Sequence, residues 1–239
     1  MTGKDREGPT TLCIDVGGTG LKAMLVDAAG RPASERRRIP TPKPSVPEAV
    51  FPALAELCGP LTGYDRVSLG FPGVVVGGVA KNAANLGPAW SGVDLEAQLR
   101  KLFGKPARAL NDADLQGYGL VEGRGVELVV TLGTGVGGGL FHEGRLVPNL
   151  EIGHAPFEKG KTFEERLGLR ALEKCGKRRW RKRLDRAVEI WRRTFNFDRL
   201  HLGGGNAALL EGRPMPPDVR IGANVAGLLG GVALWRGAT

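Results

Sequence analysis

The sequence predicts an α/β protein built from two related lobes, because one structural pattern occurs twice along its 239 residues. An apolar strand, a turn of glycine and threonine, and a second strand occur near residue 17 and again near residue 135. Glycine is in excess, at 38 residues, more than twice its usual share of about 7%. The glycines cluster at these turns, which indicates phosphate-binding loops rather than a low-complexity chain.

The first pattern follows residues 1–10, which are polar and which we expect to form a disordered leader. Residues 11–16 read as a strand, 17–20 as a turn and 21–27 as a second strand. A hairpin of this kind argues against a dinucleotide-binding fold, in which the glycine turn leads from a strand into a helix. The pattern then predicts helices at 48–58, 94–103 and 113–122, with strands at 66–71 and 107–110.

The second pattern comprises a strand at 127–132, a turn at 133–139 and further strands at 140–142 and 145–147. A charged, mainly helical segment follows at 163–195, then a strand at 199–202 and a helix of small residues at 223–235. We therefore expect an N-terminal lobe at residues 11–110 and a C-terminal lobe at 111–239, with the last helix able to pack back on the first lobe.

Charge and cysteine content limit the classes of function. The formal net charge of +9 indicates either a basic, solvated surface or a polyanionic partner such as nucleic acid or polyphosphate. The three cysteines lie far apart and form no CxxC pair, which predicts neither a disulfide framework nor a thiolate zinc site. With no apolar signal core and no membrane-length apolar run, we expect a cytoplasmic protein without a membrane partner.

The first glycine turn carries residue types suited to phosphate. Gly17 and Gly18 let backbone N–H groups approach phosphate oxygens, and Thr19 adds a hydroxyl donor. Asp15, at the strand end, suits Mg²⁺ held through water, and Lys22 supplies positive charge near a transferred phosphoryl group. The structural alternative is a plain hairpin turn followed by a surface lysine.

The second turn repeats this chemistry with Thr134, Gly135 and Gly137. Between the two turns, Asp112 stands at a strand end, where a carboxylate can accept the proton of an attacking hydroxyl. Asn111 and Asp112 can equally cap the helix that follows, which is the better interpretation of this pair taken alone.

Three further groups are candidates for substrate contacts. Glu151 and His154 are spaced to meet the paired hydroxyls of a sugar, and no cysteine cluster follows to make His154 a zinc ligand. Asn85 can hydrogen-bond a sugar or hold a loop by an Asx turn. A turn that can accept a nucleotide, or simply start a helix, is formed by Gly203, Gly204 and Gly205.

The order of these motifs resembles that of the ROK family (repressor, open reading frame, kinase). The segments that carry the resemblance are DVGGTGLK, FPGVV, AANLGPAW, NDAD, LGTGVGGGLF, EIGH and LGGG. Within the family the chain is most similar to the polyphosphate glucokinases, as RIPTPKPSVPEAV (38–50) and LVPNLEIGH (146–154) indicate. The resemblance runs from residue 11 to the C-terminus. It implies the two-lobed actin-like ATPase (ribonuclease H-like) fold, with the active site in the cleft between the lobes.

The resemblance also implies roles for individual residues. Asp112 matches the catalytic base. The sugar contacts are matched by Asn85, Asn111, Glu151 and His154, the first phosphate loop by Asp15, Gly17, Gly18, Thr19 and Lys22, the second by Thr134, Gly135 and Gly137, and the nucleotide-side loop by Gly203, Gly204 and Gly205.

The implied activity is transfer of a phosphoryl group from ATP or polyphosphate, with Mg²⁺, to the 6-hydroxyl of glucose. The implied partners are glucose, the donor and a second copy of the chain, without DNA. The cysteine-rich zinc motif of most ROK sugar kinases is missing, as it is in polyphosphate glucokinases, so no zinc is expected. The segment after Gly205 is short, which reduces the space for an adenine and favours another donor.

Other functions stay open on the same residues. An ATP-only ROK kinase acting on a different hexose is the nearest alternative. A ROK-type transcription regulator is disfavoured, because the first predicted strand begins at residue 11 and leaves little room for a DNA-binding motif before it. A non-catalytic sugar sensor or nucleic-acid binder is disfavoured because Asp112 and both phosphate loops are present.

A basic run at residues 174–193 is a candidate polyphosphate-binding stripe. A polyanion spanning it would release counterions at every neutralised phosphate. The alternative, a solvated helix that only aids solubility, has equal weight. The residues assigned to the stripe are Arg178, Arg179, Arg181 and Lys182.

Overall fold

The computed structural model describes residues 8–83, 86–222 and 226–235. The chain divides into two compact units: the described parts of Met1–Gly119 and Gly227–Thr239 form one, and those of Leu120–Ala226 form the other. Each unit is built around a five-stranded mixed sheet.

The first unit confirms the predicted hairpin and the first two helices, while the third helix ends at Tyr118 and not at residue 122. Helix α2 begins at Asp94, whose carboxylate accepts the Ala97 N–H at 2.8 Å, and ends at Gly104 in the left-handed region. In chain order the elements are β1 (Thr11–Val16), β2 (Gly20–Val26), β3 (Arg37–Pro40), α1 (Pro47–Cys58), β4 (Arg66–Phe71), β5 (Val75–Val76), β6 (Val79–Ala80), a 3₁₀ helix (Pro88–Trp90), α2 (Leu95–Phe103), β7 (Ala107–Asn111) and α3 (Asp112–Tyr118).

The sheet of the first unit has the strand order β3-β2-β1-β4-β7. The pairs β1–β2 and β2–β3 are antiparallel, and the pairs β1–β4 and β4–β7 are parallel. Alternate side chains of β1, β2, β4 and β7 form a hydrophobic core with α1 and α2. The opposite face is therefore left for polar groups and for the end of the chain.

The C-terminal 3₁₀ helix, Gly230–Trp235, packs on that opposite face. Ser68 Oγ donates to the Gly231 carbonyl at 2.7 Å and accepts the Trp235 indole N–H at 2.8 Å. The guanidinium groups of Arg66 and Arg108 lie 5.1 and 4.6 Å from the centre of the Trp235 ring. These contacts explain why the end of the chain belongs to the first unit.

The second unit has the strand order β10-β9-β8-β13-β14. The β8–β9 pair is the second predicted hairpin, which is confirmed. The elements of the second unit are β8 (Val126–Leu132), β9 (Val136–His142), β10 (Arg145–Val147), a 3₁₀ helix (Ile152–His154), β11 (Pro156–Glu158), β12 (Lys161–Thr162), α4 (Phe163–Leu167), α5 (Leu169–Phe195), β13 (Arg199–Gly203), a 3₁₀ helix (Gly205–Leu210) and β14 (Val219–Ile221). Helix α6 (Ala226–Leu229) starts at the last residue of this unit, and its other residues belong to the first unit.

Helix α5 packs on this sheet through one apolar stripe. Trp180, Leu184, Val188 and Trp191 are buried at helical spacing, so the charged residues between them point away from the core. The helix is interrupted at Gly176, whose φ of 74° and ψ of 158° are accessible to glycine almost alone. The mainly helical segment predicted at 163–195 thus consists of α4 and the two helical parts of α5.

Two expectations about the domain limits need correction. Thr10, assigned to the leader, is buried, and its N–H donates to Asp65 Oδ2 at 2.8 Å. The predicted lobe boundary between residues 110 and 111 lies too early, because α3 follows β7 directly and packs against β4. Asn111 and Asp112 therefore belong to the first unit.

A buried hydrogen bond between a carboxylate and an imidazole fixes the start of the second unit. Glu127 Oε2 lies 2.7 Å from His201 Nε2, and the two side chains are 1% and 4% exposed. The carboxylate also accepts the N–H groups of Glu122, Gly123 and Arg124 at 2.9, 2.6 and 3.2 Å. Burial alone would raise the pKa of Glu127, but these hydrogen bonds outweigh burial and hold the pKa below its usual value.

Replacing this carboxylate should change both stability and its pH dependence. We expect Glu127→Gln to lower the free energy of unfolding by about 1–3 kcal/mol at neutral pH, because an amide cannot accept all of these N–H groups. A depressed folded-state pKa stabilises the protein above the ordinary value of 4.5, and this contribution is lost as the pH falls through the folded value. Urea denaturation between neutral and acid pH measures both effects.

The exposed Glu173 provides the matched control for this experiment. Glu173→Gln should leave the neutral-pH stability and the acid slope unchanged. An acid slope equally steep in wild type and in Glu127→Gln would show that Glu127 does not carry the pH dependence.

Candidate active site

The first glycine turn, residues 17–20, closes the β1–β2 hairpin. The Gly17 N–H donates to the Gly20 carbonyl at 3.1 Å, and a Cβ on Gly17 would lie 3.0 Å from the same oxygen. Just below the turn, Asp15 Oδ2 and Lys22 Nζ form an ion pair of 2.7 Å across the two strands. The residue predicted to hold Mg²⁺ and the cation predicted to meet phosphate thus neutralise each other in this structure.

Gly70 connects this hairpin to Asp112, and sequence reasoning missed it. Asp15 pairs in register with Gly70, so their Cα–Cβ directions point to the same face of the sheet. A Cβ on Gly70 would lie 3.5 Å from the Asp112 Cα and 3.1 Å from Leu115 Cδ2. Asp15 and Asp112 therefore share one face, next to a residue that has no side chain. Glycine inside an apolar strand was the available signal.

Asn111 and Asp112 form the corner between β7 and α3. The Asn111 Oδ1 accepts the N–H groups of Ala113 and Asp114 at 2.8 and 3.1 Å, and its Nδ2 donates to the Gly73 carbonyl at 3.1 Å. The capping interpretation therefore holds for Asn111. Asp112, half-buried, is the first residue of α3, and its Oδ1 accepts the Ala113 N–H at 2.8 Å.

The predicted sugar contact Asn85 lies outside the described residues. The neighbouring Asn82 holds the turn after β4: its Oδ1 accepts the Val74 N–H at 3.1 Å, and its carbonyl oxygen would overlap with any Cβ on Gly73. This turn and Asn111 consequently support one another.

The second glycine turn joins β8 to β9, with Thr134 exposed at its tip. The Gly133 N–H donates to the Gly135 carbonyl at 3.0 Å. Glu164, from α4, accepts the Val136 N–H at 3.2 Å, and the same carboxylate oxygen occupies the space of a Gly135 side chain. Sequence reasoning missed Glu164, because an acidic residue in a charged helical segment gives no signal.

A row of residues crosses the second sheet below this turn. Thr131 pairs with Gly137 on β9 and with Gly203 on β13, so its half-buried side chain stands between two residues that have none. Gly204 has a φ of 82°, and a Cβ there would overlap with the backbone of β8. A Cβ on Gly205 would meet nothing within 4 Å. Close packing thus requires glycine at 204 but not at 205.

The predicted sugar-binding pair lies at the 3₁₀ helix Ile152–His154. Glu151 Oε2 and His154 Nε2 are 3.3 Å apart, and both side chains are exposed and accessible to a ligand. The turn packs tightly on β9, because a Cβ on Gly153 would overlap with the Val136 carbonyl oxygen. The pair is therefore held close to the second glycine turn.

The basic stripe on α5 is only partly an exposed surface. Arg178, Arg179 and Lys182 are exposed. Arg181 is half-buried and donates to the Leu209 carbonyl, so its assignment to the stripe is corrected. The cause is position: Arg181 follows the buried Trp180 and faces the 3₁₀ helix after β13.

Three other classes of site find no support in the described part of the chain. No group of three or more His, Cys, Asp or Glu residues there could hold a metal ion. Every helix in the same residues is too short or too polar to span a bilayer. Burial raises the pKa of the Cys13 and Cys58 thiols to about 12, so neither is a nucleophile at neutral pH.

The repeated hairpins and mixed sheets define an α/β protein of the actin-like ATPase class. A crystal structure of inorganic polyphosphate/ATP-glucomannokinase from Arthrobacter sp. strain KM matches with a TM-score of 0.87 and 30% identity, covering 96% of this chain and 100% of that one. A ROK family glucokinase from Streptomyces griseus, in complex with glucose and AMPPNP, matches with a TM-score of 0.80 and 19% identity, covering 94% and 98%.

Sequence comparison identifies the family. Residues 11–178 match the family model of the ROK family. Polyphosphate glucokinase of Mycobacterium tuberculosis (strain ATCC 25618 / H37Rv) is 33% identical over 235 residues, covering 91% of this chain and 88% of that protein. The chain therefore belongs to the ROK family.

The packing of Gly153 on β9 can be tested directly. We expect Gly153→Ala to lower the free energy of unfolding by about 1–3 kcal/mol, because the new methyl group must displace the Val136 carbonyl or the turn. Gly205→Ala, where space is open and φ is not positive, should change it by no more than about 0.5 kcal/mol. Urea denaturation of both variants measures the difference. Equal losses in the free energy of unfolding would contradict close packing of Gly153 on β9.

Proposed function

We propose that this protein is a glucokinase that transfers a phosphoryl group from polyphosphate or ATP to the 6-hydroxyl of glucose. The observation that carries the proposal is the shared sheet face: Asp112 lies beside Gly70, on the face that also carries Asp15 below the first glycine turn. A base and a phosphate loop on one face are two of the parts that phosphoryl transfer needs. The names of the relatives support glucose as acceptor and polyphosphate as donor.

In the proposed reaction Asp112 accepts the proton of the glucose 6-hydroxyl. The bond from O6 to the terminal phosphorus forms while the bond from that phosphorus to the rest of the donor breaks. The products are glucose 6-phosphate and a donor shortened by one phosphate, and the proton then leaves Asp112 for solvent. Most of the catalysis is positioning and charge stabilisation.

Asp15 is the residue that fits Mg²⁺. Its carboxylate stands at a strand end, and its side chain is 22% exposed, so water can reach it. Carboxylate and water are the ligands that Mg²⁺ prefers. When bound with the donor, Mg²⁺ would neutralise charge on the phosphates, while Lys22 orients the Asp15 carboxylate.

The remaining roles follow from which polar atoms are accessible. Glu151 and His154, both exposed, are proposed to bind sugar hydroxyls, and Asn85 keeps the same assignment. The Asn111 side-chain amide uses both its oxygen and its nitrogen in hydrogen bonds within the first unit. We therefore assign Asn111 a role in positioning Asp112. Thr134, Gly135 and Gly137 keep their assignment to phosphate, and Gly203, Gly204 and Gly205 keep theirs to the nucleotide-side loop.

Removing the base should abolish turnover without unfolding the protein. We expect Asp112→Asn to lower kcat by about 10²–10⁴-fold, since general-base catalysis typically contributes that much. Asparagine can still accept the Ala113 N–H, so the midpoint of unfolding should hardly move. Asp94→Asn, the same change at the cap of α2, is the control and should leave kcat unaltered. Turnover above about a tenth of wild type in Asp112→Asn would reduce Asp112 to a structural role.

The donor is tested by measuring glucose 6-phosphate formation with ATP and with polyphosphate side by side. We expect polyphosphate to serve as well as ATP or better, because a short segment follows Gly205 and the chain carries a net charge of +9. If α5 binds the donor, KM for long-chain polyphosphate should rise steeply with added salt in the wild-type protein. The combined substitutions Arg178→Glu, Arg179→Glu and Lys182→Glu should raise this KM, make its salt dependence shallower and leave KM for ATP unchanged. Equal effects on both donors would show that α5 does not bind polyphosphate. The absence of product with either donor would refute the proposed activity.

A further inference from the structure

Arg38 lies on the first glycine turn and on the face of Asp112. It pairs in register with Lys22, which pairs with Asp15, so the three side chains form one row across β3, β2 and β1. The guanidinium rests directly on Gly20, where a Cβ would lie 2.8 Å from both Nε and Nη2 of Arg38. Gly20 has no positive φ, and the space that a side chain would need there is occupied by the Arg38 guanidinium.

The charge of Arg38 is not neutralised by a neighbouring carboxylate. Its Nη2 donates to the Thr19 carbonyl at 3.4 Å, and among the described residues no carboxylate lies within ion-pair distance. Lys43 behaves in the same way, with its Nζ 3.3 Å from the Gly18 carbonyl. Both side chains are exposed. Two full positive charges thus border the tip of the turn, and they also mask carbonyl oxygens that would repel a phosphate.

We propose that Arg38 binds phosphate groups of the phosphoryl donor, and that Gly20 lacks a side chain so that the guanidinium can lie on the turn. A guanidinium presents paired N–H donors that match two phosphate oxygens, which a surface lysine cannot do. The inference rests on the proposed function for the identity of the donor. The Arg38 site differs from the α5 stripe in the donors it should affect. Both ATP and polyphosphate have phosphates that could bind beside the turn, whereas the stripe should affect polyphosphate alone.

The direct test is binding of inorganic tripolyphosphate, measured by isothermal titration calorimetry without glucose. We expect Arg38→Ala to weaken this binding about tenfold, the loss of one charge-assisted hydrogen bond. The salt dependence should become shallower by about one unit of slope if one phosphate contact is lost. In turnover assays KM should rise for ATP and polyphosphate together, with KM for glucose unchanged.

Arg37 is the matched control, because it is the next residue on β3 and carries the same charge. It is exposed and faces the other way, where its Nε donates to the Leu57 carbonyl at 3.0 Å. Arg37→Ala should leave tripolyphosphate binding unaltered. A similar loss in Arg37→Ala would show a general effect of surface charge and would overturn the inference.

Gly20→Ala tests the contact from the other side. The new methyl group takes the place of the Arg38 guanidinium, so this variant should bind tripolyphosphate as weakly as Arg38→Ala. The double variant should be no weaker than either single one, since both remove the same contact. Additive losses, or unchanged binding in Arg38→Ala, would refute the proposal. Thermal unfolding of each variant confirms that the protein compared is folded.

The same experiment separates this inference from the proposed activity. Binding of tripolyphosphate needs no catalysis, so Arg38-dependent binding without glucose 6-phosphate formation would refute only the glucokinase activity. Glucose 6-phosphate formation with donor KM values insensitive to Arg38→Ala would refute only the role of Arg38.

Discussion

The candidate active site depends on how closely α3 approaches the first sheet at Gly70. A Cβ there would lie 3.1 Å from Leu115 Cδ2 and 3.5 Å from the Asp112 Cα, so α3 leaves little room for a side chain. Asp112 is the first residue of α3 and is held at this close approach. Asn111 fixes the other side of the corner through bonds to α3 and to the Gly73 carbonyl. The position of the proposed base is thus set by backbone packing, which suits a group whose misplacement by 1 Å can cost about 10²-fold in rate.

The two glycine turns look alike in sequence but differ in charge. At the first turn, carbonyl oxygens of residues 17–19 accept from Thr41, Lys43 and Arg38, and the last two bring positive charge. At the second turn, Glu164 brings a carboxylate and uses the Val136 N–H. An anion meets cations at one turn and a carboxylate at the other. We therefore propose the first turn as the stronger of the two phosphate-binding turns, a ranking that their similar sequences do not predict.

The sequence predicted features that depend on local pattern, and it missed those that depend on register. Both hairpins and the helices at α1, α2 and α5 follow from apolar periodicity and glycine turns, so they could be read directly. Gly70 and Arg38 acquire meaning only when β4 and β3 are aligned with β1 and β2, which no local pattern fixes. Arg181 was misassigned for a different reason. The apolar spacing of Trp180 and Leu184 already showed which side of α5 is buried, but the basic run was treated as a single surface.

Three basic residues of the second unit surround one carboxylate. Glu158, on β11, lies 3.7, 3.1 and 3.6 Å from the guanidinium groups of Arg166, Arg183 and Arg186, and its side chain is 15% exposed. Three cations around one carboxylate depend on that carboxylate, because without it they would only repel one another. Through them the β11–β12 hairpin, which follows the Glu151–His154 turn, is tied to α4 and α5 by charge.

This arrangement limits what the net charge of +9 can mean. Arg183 and Arg186 have their carboxylate partner in Glu158, and Arg181 has a carbonyl partner in Leu209. A polyanion on α5 would therefore meet the outward Arg178, Arg179 and Lys182, not the whole basic run. We propose that the reacting phosphates bind at the first glycine turn, where Arg38 and Lys43 supply positive charge.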